Sequence, residues 1–142
     1  MAYAMAEVDV NVSAEALYEF LADFGSVSWM QGVTKVEVEG QGPGMARSIY
    51  AGGTECVVEV LESLEPTERR VGYTITQNNP LPVADYHAHC TAIEVEANRS
   101  LLRWSCEFTP AQGVEESSAV AQVEAMYGVL AGWVKNAIEG LG

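Results

Sequence analysis

Basic residues are scarce in this chain. Seven Lys and Arg stand against twenty Asp and Glu, a formal charge of −13, and no basic cluster offsets it. Phosphate backbones and anionic lipid surfaces are bound by neutralising their charge. Nucleic acid and membrane surfaces are therefore not expected as partners. Cysteine is scarce too: Cys56, Cys90 and Cys106 are odd in number, widely spaced and without a CxxC pair. This argues against a disulfide framework or a zinc knuckle and leaves buried free thiols. No stretch approaches the ~20 apolar residues of a membrane helix. Residues 1–12 lack a basic leader followed by an apolar block, so no signal peptide is expected and cytoplasmic residence is the default.

Other absences narrow the chemistry. Ser13, Ser26, Ser28, Ser48 and Ser63 lack the strand–turn–helix glycine context of a nucleophile elbow. The glycines of 40–44 and 52–53 lie between strand-like runs and open no helix, so they read as hairpin turns rather than phosphate cradles. Histidine is limited to His87 and His89.

What is present is half apolar, at 49 %, and 142 residues suffice for one domain with a sizeable core. The last quarter carries the clearest pattern. Val120, Val123, Met126, Tyr127, Leu130, Trp133, Val134, Ala137 and Ile138 recur every three or four positions, predicting one long helix over 114–139. Near the start, Val8, Val10 and Val12 alternate with polar residues. Ser13 then stands as an N-cap before a short helix carrying Leu17, Phe20, Leu21 and Phe24. A further short turn of helix is expected over 26–31. Strand-like segments follow at 33–39, 45–51, 54–64, 70–77, 85–97 and 101–109, joined by short turns that imply an antiparallel meander. A long helix after one sheet must cross that sheet to bury its stripe, and a curled sheet leaves a pocket beneath it.

This order is similar to the helix-grip fold of the START/SRPBCC superfamily, and within it resembles the polyketide cyclase/dehydrase family. The likeness is carried by Trp29-Met30-Gln31-Gly32-Val33, Gly42-Pro43-Gly44-Met45-Ala46-Arg47, Leu61-Glu62-Ser63-Leu64-Glu65-Pro66, Pro80-Leu81-Pro82-Val83-Ala84-Asp85-Tyr86 and Trp104-Ser105. None of these is a catalytic signature. The resemblance implies an α+β fold, with about seven curved antiparallel strands around a C-terminal helix and two short helices after the first strand. It also implies a cavity, in relatives that bind hydrophobic molecules or cyclise aromatic polyketides.

Strand parity suggests candidate residues. Ile93 and Val95 alternate with Glu94 and Glu96, which places His87, His89 and Thr91 on the inner face as possible general bases. Tyr86, Ala88, Cys90 and Ala92 form a competing apolar set, and a bulge near Thr91 would turn the histidines outward. Two histidines two apart on a strand are also half of a metal site, with Glu59 or Cys106 as further ligands, but no spacing demands a metal and none is expected. Glu59, in an apolar run, either pairs with Arg47 inside or faces solvent. Trp29, Met30, Tyr73, Gln77, Trp104, Cys106, Met126, Tyr127 and Leu130 are expected to join Arg47 around an apolar ligand, with no cofactor. The expected function is binding of an aromatic or lipid-like molecule. The alternative is cyclase or dehydratase catalysis through His87, His89 or Glu59. Val58, Val60 and Tyr50 on an outer face would suit a homodimer.

Overall fold

A nine-residue strand, β1 (Ala2–Val10), leads into α1 (Ala14–Ala22). Then come β2 (Lys35–Glu39), β3 (Ala46–Tyr50), β4 (Cys56–Glu65), β5 (Arg70–Gln77), β6 (Val83–Glu96) and β7 (Arg99–Pro110), followed by the long helix α2 (Glu116–Leu141). The computed structural model describes residues 1–141. All strand pairs are antiparallel, in one seven-stranded sheet of order β1-β7-β6-β5-β4-β3-β2. This is the expected helix-grip architecture, with two departures.

The first concerns the segment after α1. Ser13 caps that helix as expected, its Oγ accepting from the Ala16 N–H at 3.1 Å. Residues 26–31, expected to add a second short helix, instead make isolated turns closed by Ser26 N–H to Asp23 O and Met30 N–H to Val27 O. Gly25 and Gly32 bracket a stretch too short to repay helix nucleation. The second departure is the length of β1, which begins at Ala2 rather than near Val8. Ala2 and Ala4, both fully buried, bring the strand close under α2.

Helix α2 packs on β1 and β7 rather than over the middle of the sheet. Its ridge of Ala119, Val123, Tyr127, Ala131, Val134 and Ile138 is buried against them, each large side chain contributing about 1.5–3 kcal/mol on leaving water. Polar clamps bind the same two elements. The Met5 N–H donates to Glu124 at 3.1 Å and the Asn11 N–H to Glu139 at 2.9 Å, while Lys135 Nζ donates to the Asp9 carbonyl at 2.6 Å. Helix α1 lies over β5–β7. Neither helix packs closely on the inner face of β3 and β4, and a cavity lies there between the sheet and α2.

Candidate functional site

The cavity has a volume of about 210 Å³. Met126, Tyr127, Leu130 and Trp133 of α2 roof it, and Ile49, Val57, Tyr73 and Ile75 from β3, β4 and β5 form its floor. Met30, Gln31 and Val33 of the α1–β2 connection close one side, and Pro80 and Leu81 of the β5–β6 loop another. Tyr86 and Glu59 supply polar atoms within this apolar lining. Outside lies a wider open groove of about 660 Å³ between the α1–β2 connection and β2. Its polar lining and breadth make it a surface feature, but Met30 and Val33 border both spaces.

Glu59 faces inward, as one of the two expectations had it. Unbroken alternation along this part of β4 points Val57, Glu59 and Leu61 to the core side, the extra residue of the register shift beside Glu59 lying on β5 at Thr76. Arg47 donates to Oε1 from both Nε, at 2.8 Å, and Nη2, at 2.7 Å. Its remaining Nη1 donates to the Phe24 carbonyl at 2.8 Å, and its guanidinium sits 3.8 Å over the Phe24 ring. Each of the three nitrogens of the buried cation therefore has a hydrogen-bond partner, and its charge is paired, as a buried charge requires. No hydrogen bond among the described residues reaches Glu59 Oε2.

An aromatic cluster stands beside this pair. Trp104 packs edge-on against Trp29 at 5.9 Å and tilted on Tyr127 at 5.9 Å, while Tyr73 lies 6.4 Å from Tyr86. Trp104 Nε1 donates to the Tyr73 hydroxyl at 3.0 Å. The Tyr86 and Tyr127 hydroxyls bond to each other. Burial, above all, pushes all three phenols well above their ordinary range, so they remain protonated donors at any physiological pH.

Several expected residues lie elsewhere. His87 and His89 point away from the cavity, on the outer face of the sheet. Residues Tyr86, Ala88, Cys90 and Ala92 face inward instead, all buried. The parity drawn from Ile93 and Val95 fails because those apolar residues sit on the outer face near the end of β6, with Val95 43 % exposed. His87 Nδ1 meets Glu62 at 2.8 Å in the open. Gln77 is exposed at the end of β5 and does not line the cavity. Trp29, Arg47 and Trp104 border a narrow crevice of about 20 Å³ that shares Tyr73 with the cavity. Cys106 is buried in packing outside the lining, and burial raises the pKa of its thiol. The three cysteines are unpaired. Met30, Tyr73, Met126, Tyr127 and Leu130 line the cavity.

Tyr86 was the main omission among polar groups. It belongs to the inward set that the strand's first half did signal. Pro80 and Leu81 carried no periodic signal, because a loop has none. Among the described residues no cluster of three or more His, Cys, Asp or Glu side chains could hold a metal, and no helix is long and apolar enough to cross a membrane.

No curated protein matches the sequence. Solved structures do. A protein from Bacillus thuringiensis, described as uncharacterized, is 26 % identical, with a TM-score of 0.81 over 96 % of this chain and 98 % of that one. The di-domain ARO/CYC BexL from the BE-7585A biosynthetic pathway is 18 % identical with a TM-score of 0.78, over 98 % of this chain and 47 % of that one. Norcoclaurine synthase from Thalictrum flavum, in complex with dopamine and hydroxybenzaldehyde, is 14 % identical with a TM-score of 0.76, over 97 % and 86 %. At those two lower identities the likeness is one of fold. The model of polyketide cyclase/dehydrase and lipid transport proteins matches residues 1–141, and the chain belongs to that family.

Proposed function

We propose that this protein binds a small aromatic, polyketide-like molecule in the cavity beneath α2. The observation that carries this reading is the partly open apolar cavity itself, about 210 Å³ under Met126, Leu130 and Trp133. An apolar cavity of about 150 Å³ is enough to take up benzene, so this one suits one or two fused rings. The family's description and the aromatic compounds bound by norcoclaurine synthase support the same chemical class.

Turnover is the second reading, and one observation favours it. Glu59 is an ionisable group on the cavity wall, with Oε2 left free by Arg47. A cyclase or dehydratase needs a group that moves a proton within reach of a folded substrate. The histidines, on the far side of the sheet, cannot supply it from where they stand.

Native mass spectrometry of freshly purified protein tests the binding reading. A retained molecule is expected, lost on denaturation and lost from Leu130→Trp, which fills the roof. Equal retention by Leu130→Trp would place the molecule elsewhere and sink the proposal. If a substrate turns over, Glu59→Gln should abolish turnover at unchanged affinity, and equal loss of both would leave binding alone.

A further inference from the structure

The sheet has two edges, β1 and β2, and they are treated differently. Along β1 and just past it, α2 meets the backbone: Glu124 takes the Met5 N–H, Glu139 the Asn11 N–H, and Lys135 donates to the Asp9 carbonyl. β2 instead borders the open groove of about 660 Å³. Its free groups can be identified from β3. The Tyr50 carbonyl accepts from the Thr34 N–H at 2.8 Å, and the Met45 carbonyl from the Leu61 N–H at 2.9 Å. Backbone groups alternate in direction along a strand, so the even residues of β3 bond β2 and the odd ones bond β4. Those even residues stand opposite Lys35, Glu37 and Glu39. Val36 and Val38 therefore turn their N–H and C=O outward. No hydrogen bond among the described residues reaches these four groups.

A free edge invites another strand, and proteins usually blunt it with a bulge, a proline or charge. β2 has no proline and no register shift against β3. It does carry charge, with Lys35, Glu37 and Glu39 together on the outer face, but that pattern is complementary to itself. When two copies of the strand run antiparallel about a two-fold axis at Glu37, Val36 of each meets Val38 of the other. The hydrogen bonds between them then use every outward group of both strands. Lys35 stands opposite Glu39 of the second copy on both sides of the axis, an arrangement that favours pairing. Val38, 43 % exposed in the single chain, is covered. Only Glu37 meets its own like.

We infer that the β2 edge is a self-association surface, on which two copies of this chain join antiparallel about Glu37 and make their sheets continuous. A contact built on one short strand is small, and the opposed Glu37 side chains weaken it further, so the dimer is transient and reversible. The inference does not depend on what the cavity holds.

The test is sedimentation equilibrium of the intact protein over a range of concentrations. Salt of about 0.15 M screens the net charge of each copy beyond about 8 Å. A concentration-dependent dimer is expected. Val38→Pro removes an outward N–H and leaves the ladder to β3 whole, so the chain should fold. Its dimer dissociation constant should rise about tenfold or more, since half of the inter-copy bonds go. Val38→Thr keeps the N–H and the side-chain shape and should stay within about threefold of wild type, while Glu37→Gln should tighten the dimer about threefold. A second measurement is cross-linking in a Cys56→Ser background, which removes the one cysteine that is not buried. Across the axis the two Cα atoms of residue 37 lie about 4.5 Å apart, within reach of a disulfide. Oxidation should therefore couple Glu37→Cys into a covalent dimer and leave Lys35→Cys, far from its own copy, uncoupled. A chain that stays monomeric at every concentration overturns the inference. A dimer lost in Val58→Asp but kept in Val38→Pro lies on the outer face of the sheet and overturns it too. Should Val38→Pro fail to fold, the cross-link decides: selective coupling of Glu37→Cys upholds the inference, and equal coupling of both variants overturns it.

Discussion

A β-carbon on Gly72 would stand 2.5 Å from Ser63 Oγ and 3.2 Å from Cδ2 of His89. The imidazole thus lies against bare backbone on the outer face of the sheet. Burial in that position, and secondarily the Arg70 guanidinium, lowers the His89 pKa below 6.5, while Glu65, Glu107 and Glu62 pull weakly the other way. The folded protein therefore takes up this proton later than the unfolded chain does. Stability contributed by the neutral ring is complete above pH 6.5 and is lost as the pH falls through the lower folded value. Urea unfolding at pH 7.5 and 5.5 should show a decrease of a fraction of a kcal/mol in acid, reduced in His89→Gln; an identical decrease in that variant would refute the assignment. Carboxylates held low by cations, such as Glu65 by Arg70, titrate below this window. The orientation of His89 was hard to read because Ile93 and Val95 advertise the wrong face. The better guide was Gly72, whose missing side chain makes room for a ring on the neighbouring strand, a relation across strands that linear parity does not contain.

Among the elements, α2 and β5 were the most legible. An amphipathic stripe of 26 residues and an eight-residue run bounded by turns leave little choice of structure. The beginning of β1 was not legible, since Ala2, Ala4 and Ala6 give almost no contrast with Tyr3 and Met5. Those alanines matter for what they permit, the close approach of α2. Within the α1–β2 connection, residues 26–31 do not form the further short helical turn expected there, and their irregular course has a use. Met30 and Val33 border both the cavity and the outer groove, so the partition between them is a flexible thioether and one valine. Met30→Ala should open the partition. The expected outcome is a several-fold faster association of a cavity ligand, with a smaller change in Kd, measured by stopped-flow quenching of tryptophan fluorescence. An unchanged association rate would mean that ligands enter by another route.

For the molecule as a whole, element order and likeness of motif anticipate both the architecture and a cavity beneath the long helix, but not which apolar residues line it. Periodicity reports which side of an element is apolar, and the same apolar residue can fill a core or line a void. Which of the two happens depends on where α2 lands, and that is decided by small residues on β1 and by clamps from Glu124, Glu139 and Lys135.

Those clamps join partners 119, 128 and 126 positions apart along the chain. Loop closure over such spans is slow, and a fold dominated by distant pairings reaches its native state in milliseconds to seconds rather than microseconds. Refolding followed by tryptophan emission should fall in that range, with Glu139→Ala mainly accelerating unfolding; a microsecond phase carrying the whole signal would contradict it. Until its final helix docks, the inner wall is an open apolar trough, and selectivity for a guest begins only when the lid is latched to the first strand.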